Sequence, residues 1–170
     1  LEWCAREGCM HGHNGVASES CAIRTALENY AFNIALDGKG HNFIDKVSNW
    51  NQVCNSGLCC AALAVYENMP TVSQKIIDQA INSNRMAMSM YSPDGNYPEG
   101  PGYWEYGTVF QALMLTALRT ALGTEFGIST ARGFDKTARY ILFTTGATGL
   151  CYNYYDCTTF NSDHPALWYF

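Results

Sequence analysis

Residues 101–123 read PGYWEYGTVFQALMLTALRTALG. A proline suits the first turn of a helix, where its missing N–H would have no partner anyway. The stretch that follows, YWEYGTVFQALMLTALRTAL, contains no further proline, and Gly123 is a natural stop because glycine takes the left-handed position at a helix end at little cost. The run predicts a helix that begins near Pro101 or Gly102 and ends at Gly123.

The flanking sequence repeats this kind of element. Ser18 can cap a helix with Glu19 in its positive first turn, and Ile23, Leu27, Tyr30 and Ile34 follow at roughly helical spacing until DGKGHN interrupts them. A second helix is expected from about Ser48 to Asn68, with Trp50, Cys54, Leu58, Ala61 and Val65 on one stripe and Pro70 closing it. Thr71 then caps a third, which carries Val72, Ile76, Ala80 and Met88 and ends before SPDGNYPEGPG. A fifth is expected over about Thr130 to Thr145, and the aromatic tail YNYYDCTTF and ALWYF reads as short strands or ordered loops. Residues 1–15 have no clear period. Helices of this length joined by short turns make antiparallel hairpins, so the fold class is all-α, either a compact bundle or an arc of stacked hairpins. An incomplete arc leaves apolar surface that further chain or a partner, including a second copy of the chain, must cover.

Composition narrows the function. The 170 residues are 48% hydrophobic and 15% charged, which supports a sizeable core. A formal net charge of −5 with scattered basic residues argues against nucleic acid as a partner. The sequence has no apolar run long enough to cross a membrane. Aromatic residues make up 14%, with eleven Tyr and four Trp, which suits surfaces that contact sugars as well as cores. The eight cysteines are an even number, but Cys54, Cys59 and Cys60 lie in an apolar helical run and read as small buried hydrophobes. Cys151 and Cys157 could pair across a loop. Cys9, His11 and His13 have ligand chemistry without the spacing of a structural zinc site, and no metal or cofactor is expected.

Three segments in order, SNWNQVCNSGLCCAALAVYE (48–67), YSPDGNYPEGPGYWEYGT (91–108) and FTTGATGLCYNYYDC (143–157), resemble the heparinase II/III-like polysaccharide lyases and their relatives. With the helices between them the resemblance covers roughly residues 25 to 170, and the middle segment is its specific part. It implies that residues 1–170 form one unit of an incomplete α/α toroid, commonly followed by a β-sandwich domain that this sequence lacks. It also implies a secreted or periplasmic protein that cleaves uronic-acid-containing, anionic polysaccharide by β-elimination.

That reaction removes the proton on C5 of the uronic acid and expels the oxygen on C4. It needs donors on the carboxylate, a base and an acid. Tyr103 and Tyr106 sit one turn apart near a helix N-terminus, whose dipole favours an anionic sugar. The resemblance implies a catalytic Tyr downstream of a carboxylate-binding Asn or His. Asn49 with Tyr103 and Asn51 with Tyr106 both match that spacing. Asn51 and Asn55 share a helix face, which predicts a role in binding. Trp50, Tyr97 and Trp104 are candidate sugar contacts, and Glu99 is expected to orient a hydroxyl or cap the Tyr helix. His164 is a further candidate, although the resemblance puts the equivalent histidine in the following domain.

Two other function classes fit the same residues. The aromatics could belong to a non-catalytic glycan-binding or structural scaffold. A helical hydrolase would need a pair of carboxylates from opposite walls of a cleft, and only Asp94, Glu99 and Glu105 are available, all within one motif.

Overall fold

The computed structural model describes residues 19–38, 42–159 and 163–170. Cys9, His11 and His13 lie outside them. The elements are α1 (Glu19–Leu27), a π turn (Glu28–Phe32), α2 (Asn33–Asp37), α3 (Asn49–Ala64), α4 (Pro70–Met88), α5 (Gly100–Leu122) and α6 (Ala138–Thr144). Short 3₁₀ turns cover Ser89–Tyr91, Ile128–Thr130, Phe134–Lys136 and Pro165–Tyr169. The protein is all-α: among the described residues the extended pairing is a single bridge between Thr145 and Cys151.

Helix α3 is the centre, with its two broad interfaces against α4 and α5. A short turn brings α4 back along α3. The 92–99 loop then returns the chain so that α5 starts at the end where α3 starts, with Glu99 hydrogen-bonded to Asn49. The core between them is Cys59, Ala62, Ile76, Ile77, Met114, Leu115 and Leu118. At the far end of α5 the backbone turns left-handed at Gly123, φ 72°, as its sequence predicts.

The first helix does not bury the stripe its spacing suggests. Ile23 and Tyr30 are exposed, while Phe32 and Ala35 are enclosed. The π turn supplies the reason: it inserts an extra residue into one turn and rotates everything after it, so the inward positions run Leu27, Phe32, Ala35.

Of the stripe expected on α3, Val65 is buried in the core and Leu58 and Ala61 pack against it, but the N-terminal half turns differently. Trp50 is 66% exposed and Cys54, Leu58 and Ala61 are half-buried, whereas Asn49, Asn51, Gln52, Asn55 and Ser56 point inward. Pro70 opens α4 rather than closing α3, taking the first helical position after Met69. The fifth helix is shorter than its pattern suggests, because Gly127 and Gly133 break residues 127–137 into two 3₁₀ turns before α6. Cys151 and Cys157 are free thiols, and Cys21 is disulfide-bonded.

Candidate functional site

The inward polar face of α3 separates into two networks. In the first, Asn51 donates its amide hydrogens among Phe43 O at 3.0 Å, Ile44 O at 3.1 Å and Ser83 Oγ at 3.0 Å. Asn55 donates to Asn51 Oδ1 and to Ser83 Oγ, and the Ser83 hydroxyl donates to Ile44 O at 2.7 Å. These groups tie the 43–44 turn to α3 and α4. Asn51 and Asn55 are fully enclosed, so the expectation that they face a polysaccharide does not match their placement. Asn51 and Ser83 bind the chain's own backbone, with Asn55 donating to both side chains, which satisfies carbonyls that would otherwise be buried without donors.

The second network is centred on Gln52, which accepts from the Tyr97 hydroxyl at 2.6 Å and donates to the Tyr91 hydroxyl at 2.8 Å. Tyr91 is bonded in turn to Thr108 Oγ1 at 2.9 Å. Beside it the amides of Asn84 and Gln111 are doubly paired, at 2.8 and 2.9 Å. All six side chains have no exposed surface. Gly107 makes room for them, since a Cβ there would stand 2.4 Å from Tyr97 Oη and 2.5 Å from Gln52 Oε1. A closed network with every member partnered fixes the relation of three helices and gives a ligand no access.

Tyr97 therefore belongs to the interior rather than to a sugar-contacting surface. Trp104 is enclosed too: its indole N–H donates to Thr137 Oγ1 at 2.8 Å, and that hydroxyl donates to Gly95 O at 2.7 Å. It packs as a core aromatic, 5.9 Å from the Tyr140 ring. Burial pushes the Tyr91 phenol up to about 12, against the lowering effect of its bonds to Thr108 and Gln52. Burial, with the neighbouring Tyr91, Glu99 and Tyr140, raises Tyr97 as well, and burial and the bond to Tyr154 raise Tyr140. None of these three is suited to act as a base near neutral pH.

Glu99 does cap a helix, but not the one that follows it. Its carboxylate accepts from the backbone N–H of Asn49 at 2.7 Å and from the Asn49 side-chain amide at 3.0 Å, so it closes the first turn of α3 from across the interface. Glu99→Ala is expected to cost about 1 kcal/mol, the usual value of a helix cap, with Glu99→Gln costing less because an acceptor remains. Urea unfolding midpoints measure both.

Tyr103 and Tyr106 differ from the enclosed tyrosines. Tyr103 is half-buried against the core and Tyr106 is 48% exposed, its ring edge-on to Phe110 at 5.3 Å. Among the described residues neither hydroxyl has a hydrogen-bond partner within the protein. On the other side of the same turns, Glu105 meets His164 Nδ1 at 3.0 Å and accepts from Ala166 N–H at 3.1 Å. This contact fastens the C-terminal 3₁₀ turn to α5, and with Glu99 on Asn49 and Asp94 accepting from the Asn96 N–H at 3.3 Å, each carboxylate of the hydrolase alternative already has a partner in the chain.

Sequence reasoning passed over Lys136 and Arg139. With Asp94, Asn96, Tyr140, Phe143 and Thr144 they line an open groove of about 470 Å³. Nothing in a linear reading joins positions 94–96 to 136–144. The chain matches no family model and no curated protein.

Proposed function

We propose that this chain is the helical part of a polysaccharide lyase, an arc of the α/α-toroid kind, acting by β-elimination on uronic-acid-containing glycan. The observation that carries the proposal is the pair of uncommitted phenols, Tyr103 and Tyr106, one turn apart at the head of α5. The head of α3 lies against it through the Asn49–Glu99 bonds. Two converging helix N-termini favour an anionic sugar, although the Glu99 carboxylate offsets part of that field.

In this reading Tyr106 takes the C5 proton and Tyr103 or Tyr106 returns one to the leaving oxygen. Asn49 is buried with its amide donated to Glu99, so it holds the head of α3 beside the phenols rather than reaching the uronate carboxylate, and Trp50 offers a ring to the polymer. Asn51, Asn55, Tyr97 and Trp104 support the site from inside without touching substrate. A secreted or periplasmic location belongs to the same proposal, and the disulfide at Cys21 suits an oxidising compartment. Among the described residues no helix is long and apolar enough to cross a membrane.

The test is the ultraviolet absorbance of the unsaturated product after incubation with alginate, heparan sulfate, chondroitin and polygalacturonate. Tyr106→Phe is expected to lower the rate at least about a hundredfold, the usual worth of a general base, while leaving the unfolding midpoint unchanged. A rate that survives this substitution, or no product from any acidic glycan, rejects the reading.

The enclosure of Tyr97, Trp104, Asn51 and Asn55 favours a second reading, a non-catalytic glycan-binding scaffold. That reading expects binding without product, lost in Trp50→Ala and kept in both Tyr→Phe variants.

A further inference from the structure

The groove between the 94–96 turn and α6 combines three kinds of group. Lys136 and Arg139 bring two cations, and among the described residues neither has an ion-pair or side-chain hydrogen-bond partner. Phe143 is 79% exposed, an apolar ring on the rim of a polar cleft. Asp94 and Asn96 add a carboxylate and an amide, and the turn is held in shape by the Asn96 N–H donating to Asp94 Oδ1 at 3.3 Å.

Each group restricts the ligand. Two cations against one carboxylate favour an anion, and arginine pairs with a carboxylate through two parallel bonds. A compact inorganic anion would use the cations but gain nothing from Phe143, and it would meet Asp94 with repulsion. A pyranose ring that carries a carboxylate uses all of them: its acid group on Lys136 and Arg139, its C–H face on Phe143, and its hydroxyls donating to Asp94 and bonding to Asn96. The volume lies within the range of small-ligand clefts.

We propose that this groove is a binding subsite for one acidic sugar unit, separate from the Tyr103 and Tyr106 hydroxyls and formed by Asp94, Asn96, Lys136, Arg139 and Phe143. The proposal rests on the acidic-glycan reading above and adds to it the residues that recognise a uronate. The 94–96 turn leads directly into α5, so a chain bound here is tethered close to the head of that helix.

Titration calorimetry with trigalacturonate, maltotriose and inorganic phosphate tests it on the whole chain. Trigalacturonate is expected to bind and maltotriose not to. The double variant Lys136→Gln, Arg139→Gln should weaken trigalacturonate at least about tenfold, a loss of about 1.4 kcal/mol, and Phe143→Ala should weaken it as well. Both cations are exposed and unpaired, so the double variant should keep the parent's unfolding midpoint. Trigalacturonate that fails to bind, or binds the double variant as tightly as the parent, overturns the proposal, and phosphate binding as tightly as trigalacturonate overturns its sugar half. Binding that depends on Lys136 and Arg139 in a protein that yields no unsaturated product therefore upholds the subsite while rejecting the lyase chemistry.

Discussion

Trp104→Ala is expected to destabilise the protein by about 3–5 kcal/mol, the range for removing a large aromatic from a packed interior. The indole is fully enclosed, and its N–H is the first link of a chain through Thr137 Oγ1 to Gly95 O. Truncation leaves a cavity between α5 and α6 and removes the donor to Thr137, so two costs add. Trp104→Phe should recover much of the packing but not the hydrogen bond, leaving a loss of about 1–3 kcal/mol. Urea unfolding followed by far-ultraviolet circular dichroism gives both values. A Trp104→Ala protein with normal stability and lost glycan binding would instead mean that the ring meets sugar, as the sequence alone suggested.

Gly133→Ala should be of similar size for a different reason. Gly133 has φ 88°, and a Cβ there would stand 2.1 Å from the carbonyl oxygen of Tyr91 and 2.9 Å from Gly95 N. Both neighbours are backbone, in a turn anchored by the Gly95 N–H donating to Tyr91 O at 2.7 Å, so neither can swing aside. The left-handed backbone costs an alanine about 1–2 kcal/mol, and relieving the overlap adds to it, for a total above about 3 kcal/mol. Gly127→Ala is the control. It shares the positive φ, 71°, but meets only Thr130 Oγ1 at 3.8 Å, so the backbone term should stand alone. Equal unfolding midpoints for the two variants would show that the close approach of the 91–95 turn does not constrain position 133.

Much of the candidate site was readable as residue types and not as positions. The motif from Tyr91 to Thr108 does mark where the fold concentrates its polar groups, because Tyr91, Tyr97, Trp104, Gly107 and Thr108 all come from it. Which of its aromatics would be solvent-facing was not readable. Tyr97 and Tyr106 are alike in a linear sequence, yet Gly107 draws Tyr97 and Gln52 into the space where its side chain would be, while Tyr106 lies on the outer side of the same helix. Lys136 and Arg139 became candidates only when the chain folded back to put α6 beside the 94–96 turn.

The sequence by itself determined that this is a helical protein and where most of its long helices stop: Gly123 ends α5 because only a residue without a side chain takes that left-handed position readily. Proline and glycine act on their own backbone, so their effects are local and visible in one dimension. The tertiary structure alone decided which face of each helix turns inward. In α3 the asparagines and Gln52 are buried because Ser83, Tyr91, Tyr97 and Glu99, 28 to 50 residues away, and the nearer Phe43 and Ile44 carbonyls supply their hydrogen bonds. A polar side chain is inside or outside according to whether such a partner arrives, and periodicity carries no record of that.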